Sequence, residues 1–200
     1  MKAAVESGDA KKVAELIRQD LGFNVNMAVD GRGWSLLHHA CRGTDSRSAV
    51  IPLLLAHPDI DVNVKTKYGE TSFYLACRGY PSCVREMLKD SRVKVNEASG
   101  VGYTPLWNAV ANRHLDVIKV WIASGREIDL GKPGDVDRTD AIGKARKEGQ
   151  TEVVALLERF KSDATKTRSE VRKELEINGV YYYHYYSILF LFSFFFILSS

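Results

Sequence analysis

A chain of 200 residues, 45% hydrophobic and 26% charged, is long enough to fold as one domain around a packed core. Its formal net charge of +3 is too small to point by itself to nucleic acid or to an acidic partner. Three cysteines, an odd number, argue against a closed disulfide framework and fit small buried thiols in a reducing compartment.

The first 19 residues are charged and helical in pattern, unlike a secretory leader, so the expected location is cytoplasmic. Lys2–Ser7 reads as a helix, Gly8-Asp9 as a turn, and Lys11–Gln19 as a second helix with Val13, Leu16 and Ile17 on one face. Asp30-Gly31-Arg32-Gly33 is a turn, followed by a helix from Leu36 to about Arg42. Thr44–Ser48 reads as a polar insertion, then Ala49–Ala56 as a helix that tolerates Pro52 only near its first turn. Further on, Phe73 and Ala76 face inward, and Cys83–Lys89 carries Val84, Met87 and Leu88 on its packing face.

Thr104 caps a predicted helix Pro105–Asn112, with proline where its missing N–H costs nothing. Leu115–Ala123 follows with Val117, Ile118, Trp121 and Ile122 as its apolar stripe. Thr151–Phe160 reads as a last outer helix, burying Val153, Val154, Leu156 and Leu157 and keeping Glu152, Glu158, Arg159 and Lys161 wet. Lys161–Asn178 is a run of mixed charge, read as a solvated helix or linker.

These elements repeat. Gly102-Tyr103-Thr104-Pro105-Leu106-Trp107-Asn108-Ala109 is echoed by Gly69-Glu70-Thr71-Ser72-Phe73-Tyr74-Leu75-Ala76, 33 residues earlier. Gly33-Trp34-Ser35-Leu36-Leu37-His38-His39-Ala40 precedes that by 36, and a fainter copy around Asp140–Ala145 follows. Val25-Asn26, Val62-Asn63, Val95-Asn96 and Ile128-Asp129 recur in step. A period near 33 with a Thr-Pro-Leu-His-like start resembles the ankyrin repeat. The implied fold is an all-α solenoid of stacked helix-turn-helix units with short β-hairpin-like fingers, over 1–161. Its units would be about 1–29 (partial), 30–66, 67–99, 100–134 and 135–161, followed by a linker at 162–179. The partial first unit is expected either from a worn cap or from a fragment of a longer array.

Residues 180–200 carry no charge. One reading is a membrane tail anchor, since 180–198 approaches the roughly 20 residues a spanning helix needs. Against it, the strictly apolar part, Ile188–Leu198, is too short to span. The other reading is a segment that is not a native element, its residues being writable in pyrimidine-rich codons.

His38-His39 with Cys41 invites a metal reading. Adjacent helical residues point about 100° apart, though, and nothing else clusters there to complete a ligand set. His38 sits where the family has a helix-capping histidine, which implies a structural role; Tyr74, Trp107 and Gly143 hold that position in the other units. No phosphate loop, dinucleotide fingerprint or nucleophile elbow is present, and no catalytic residue, cofactor or metal is expected.

The resemblance implies a non-catalytic scaffold that binds a protein through finger tips and the concave face of the inner helices. Carried over by position, the finger residues are Arg32, Trp34, Lys67, Tyr68, Glu70, Val101 and Tyr103. The inner-helix residues are Arg42, Arg78, Asn112 and Lys147. Aromatics framed by Arg and Lys have the composition of interaction hot spots. For Trp34 and Tyr103 packing against a neighbouring finger competes with that role. The expected partner is a protein and not nucleic acid, with the chain itself monomeric. The alternative is a membrane-tethered adaptor held by residues 180–198.

Overall fold

The computed structural model describes residues 1–20, 22–131 and 139–177. The tail at 180–200, with its two readings, and the start of the fifth unit lie outside them. Among the described residues no helix is long and apolar enough to cross a membrane.

The chain folds as consecutive antiparallel helix pairs: α1 (Lys2–Ser7) with α2 (Ala10–Gln19), α3 (Leu36–Ala40) with α4 (Ile51–Leu55), and α5 (Ser72–Ala76) with α6 (Pro81–Leu88). Then come α7 (Pro105–Ala111) with α8 (Leu115–Ser124), α9 (Ala141–Lys147) with α10 (Thr151–Ser162), and a final α11 (Ala164–Ile177). Helices this short are unstable alone, so packing must hold them. Inner helices stack in the order α1, α3, α5, α7, α9, and outer helices α2, α4, α6, α8 stack beside them. The result is one continuous core, from Val5 in α1 to Leu157 in α10 and Val171 in α11. At its centre Phe73 meets the fully buried Trp121 edge to face, with centroids 5.0 Å apart.

Local chemistry sets the helix starts. Thr71 and Thr104 accept the amides of Tyr74 and Trp107 at 3.1 and 3.2 Å, and Asp140 accepts that of Gly143. Ser35 and His38 form a reciprocal capping box. Each hairpin finger closes with little more than one backbone pair, such as Thr66 N to Glu70 O at 2.9 Å. The fold is all-α, and among the described residues the fingers contribute isolated pairing and no strand.

The recurring asparagines explain themselves. Asn26 accepts from Asp61 N and donates to Asp59 O at 2.8 and 2.7 Å, bridging to the next unit's loop. Asn63 repeats the bridge to Lys94 N and Arg92 O, and Asn96 accepts from Asp129 N. At Asn26 and Asn63 one amide serves as both donor and acceptor, which no aliphatic residue could do.

Two stretches differ from expectation. The Thr44–Ser48 insertion and the expected start at Ala49 merge into a 3₁₀ segment, Asp45–Val50, and α4 begins only at Ile51. Pro52, lacking an N–H, suits the second position of α4, and Arg47 holds the segment by donating to His39 O and Arg42 O. The charged run after Lys161 is α11, packed against α8 and α10. Thr167, Val171 and Leu175 recur every fourth residue and form its buried stripe, while Arg172 donates to Ala123 O at the end of α8.

Candidate protein-binding cleft

The fingers approach each other closely enough to share backbone bonds. Lys67 N donates to Arg32 O at 3.0 Å, and Gly100 N donates to Tyr68 O at 2.9 Å. Such contact restricts the residue types allowed. Gly69 adopts φ 70, and a Cβ there would lie 2.5 Å from Gly100 N. Only glycine fits.

Between the last two of these fingers and the helices behind them opens a cleft of about 900 Å³. It brings together Lys67, Tyr68, Glu70, Arg78, Val101 and Tyr103, six residues expected at the surface from their repeat positions. Tyr68 and Val101 stand at its mouth, 62% and 66% exposed. Isolated exposed apolar residues are ordinary; here two line one cleft. Inside, Glu70 is nearly buried and pairs with Arg78 at 2.7 Å. Tyr103 stacks on Trp107 with centroids 3.8 Å apart and ring planes within 12°.

Tyr74, Trp107 and Asn108 also line the cleft, and sequence reading did not assign them there. The available signal was position: Tyr74 and Trp107 stand where His38 stands, and an aromatic side chain in place of a capping ring has a face to spare. Asn108 donates to Tyr74 O at 3.0 Å, tying one inner helix to the next. Burial raises the Tyr74 hydroxyl pKa, so it stays protonated.

The remaining expected residues fall elsewhere. Of the two readings of Trp34, its burial favours packing: it is 6% exposed, in a small cluster with Tyr74 and Leu75. Arg32 and Arg42 each place a guanidinium 4.9 Å from its ring centroid, and His39 meets it edge on. An indole covered by two cations packs rather than presents. Asn112 is exposed at the end of α7 and spends its amide on Asn108. Lys147 is exposed on the last turn of α9, away from the cleft lining.

His38, His39 and the three cysteines are occupied structurally. His38 is buried, its pKa pushed down to about 4 by desolvation. The His39 ring lies 3.0 Å from Glu6 and 3.4 Å from Asp30. Cys41 and Cys77 are buried thiols whose pKa values rise well above normal through desolvation, and burial takes Cys83 up to about 12. None is poised as a thiolate nucleophile.

Comparison with known proteins agrees with this architecture. Residues 1–99 match the family model for ankyrin repeats in three copies. The human SMC5-SMC6 complex localization factor protein 1 is 33% identical over 105 residues, covering 50% of this chain and 9% of that protein. Alpha-latrotoxin-Lg1a of Latrodectus geometricus is 33% identical over 110 residues, 54% of this chain and 8% of the toxin. The Escherichia coli (strain K12) putative ankyrin repeat protein YahD is 29% identical over 116 residues, 52% of this chain and 53% of its own length. The chain thus spans under a tenth of the first two relatives and about half of the third. Ankyrin repeats are a general protein-interaction module, and with residues 1–99 matching their model and the helix pairs stacked as described, this chain belongs to the ankyrin-repeat family.

Proposed function

We propose that the chain is a non-catalytic scaffold that binds a protein partner through the cleft between the Tyr68 and Val101 fingers. The observation carrying this reading is the exposure of those two side chains over a cleft floored by the Glu70–Arg78 pair and the Tyr103–Trp107 stack. Rigid aromatics beside an exposed apolar rim are the usual anchors of protein recognition. The cleft belongs to two fingers joined by a backbone bond, so it is largely preformed, which lowers the entropy cost of binding. One relative is named for localising a complex, and recruitment of that general kind fits a scaffold with a binding cleft and no catalytic constellation among its described residues.

The test is a photo-crosslinking amino acid placed at Tyr68, at Val101 and, as control, at Glu152 on the outer helix α10. The same partner captured from the two finger positions and not from Glu152 supports the reading. Equal capture at all three positions, or none, contradicts it.

A further inference from the structure

Two arginines gather around Trp34. Arg32 and Arg42 both sit over the face of Trp34, so two like charges share one ring. Lys67 follows directly, its backbone bonded to Arg32 O and its side chain exposed. Of the carboxylates nearby, Asp30 feels the Arg32 charge without forming an ion pair with it. Asp30 accepts the amides of Arg32 and Trp34 and faces the His39 ring. Glu70 pairs with Arg78, and Glu97 with Lys65. Among the described residues no carboxylate makes an ion pair with Arg32, Arg42 or Lys67. Three cations therefore gather beside a cleft whose own charges are internally paired.

Unpaired guanidinium groups held over an aromatic ring are preorganised and weakly hydrated, which suits planar bidentate anions such as carboxylates. The apolar mouth beside them suits an aliphatic or aromatic side chain. From this charge complementarity we infer that the partner presents an acidic extended segment. Its carboxylates lie over Arg32, Arg42 and Lys67, and an apolar residue of the same segment enters between Tyr68 and Val101. The inference rests on the protein-binding reading and adds the chemistry of the partner.

The test uses the full chain and fluorescein-labelled synthetic peptides of equal length, read by anisotropy. One is rich in Asp and Glu around a Leu-Phe pair; the second replaces every acid with its amide; the third replaces every acid with Lys or Arg. An oligothymidylate is the fourth probe. The acidic peptide should bind roughly tenfold or more tighter than its amide twin, and added salt should erode that preference. Lys67→Glu, at an exposed position, should reduce the preference severalfold without altering the melting temperature. Arg32→Glu with Arg42→Glu should reverse it toward the basic peptide.

Equal or better binding of the amide or basic peptide overturns the inference, as does binding by none of the peptides. So does a charge preference unmoved by Lys67→Glu and by the double arginine variant. Tighter binding of the oligothymidylate at these residues overturns it too. If crosslinking at Tyr68 and Val101 still captures one partner, the binding reading survives and only the partner's chemistry is wrong.

Discussion

The Nε2 atom of His38 lies 3.2 Å from the carbonyl oxygen of Glu70, 32 residues later in the chain. Its Nδ1 accepts the Ser35 amide at 3.1 Å, which places the ring proton on Nε2 and makes it the donor to Glu70. One neutral imidazole thereby caps its own helix and fastens it to the finger of the next unit. That finger carries Tyr68, so a buried structural bond positions the mouth of the cleft.

A pH dependence follows. Burial lowers the His38 pKa from 6.5 to about 4, so between those values the unfolded chain binds more protons than the folded one. The His38 contribution to stability should therefore be whole above about pH 6.5 and be lost as pH drops toward 4, up to about 3 kcal/mol, before carboxylates held low by their partners, such as Asp30 and Asp90, add losses at lower pH. Urea denaturation across that range checks it. His38→Ala should flatten the slope, leaving the part due to His39, whose pKa burial also lowers.

Trp34→Ala should separate packing from recognition. Removing an indole that is 6% exposed should cost about 3 kcal/mol, comparable to other core aromatic truncations. Tyr68→Ala and Val101→Ala remove exposed side chains and should change stability by about 0.5 kcal/mol or less. Chemical denaturation of the three variants distinguishes these outcomes. A Trp34→Ala cost as small as that of Tyr68→Ala would return Trp34 to the surface.

Arg113 is a non-glycine residue at φ 62, in the inter-helix turn where Gly8 and Gly149 adopt φ 73 and 68 elsewhere. The left-handed region costs an ordinary L-residue on the order of 1 kcal/mol, offset here in part by the bond from its guanidinium to Glu148 O. Arg113→Gly should leave the melting temperature unchanged or raise it, because relief of strain offsets the lost bond and the freer unfolded chain. Arg113→Val, β-branched, should lower it. A fall with glycine matching that with valine would show that the turn is not strained.

The last helix should behave as part of the fold. Leu175→Ala in α11 should cost about 2 kcal/mol, since the side chain is buried in the core shared with α8 and α10. Denaturation midpoints of this variant and of a chain ending at Ser162 should both fall below wild type. No change in either would make α11 a detachable appendage.

The repeat interval made the stack legible in the sequence, because Thr71, Thr104 and the Val-Asn pairs each perform a local task that demands one residue type at one place. It also located Tyr68 and Val101 at finger tips. What it could not convey was which aromatic would be covered. Trp34 and Tyr103 share a repeat position, yet only Trp34 is roofed by Arg32 and Arg42 and buried, which depends on cations from two separate segments. The α11 stripe was hidden differently. Thr167, Val171 and Leu175 are few among many charges, and only the groove beside α8 gives their spacing a meaning. Pro52 permitted a helix start without dictating it, so the 3₁₀ segment ahead of α4 also depends on the bonds its Arg47 donates to His39 O and Arg42 O.

The cleft's role as the binding surface is tested most directly by partner capture with wild type and the Tyr68→Ser/Val101→Ser variant at matched concentration, with melting temperatures measured alongside. The account predicts that the variant melts like wild type and loses the partner that wild type retains. A variant that melts like wild type and still captures the same partner to the same extent would contradict it.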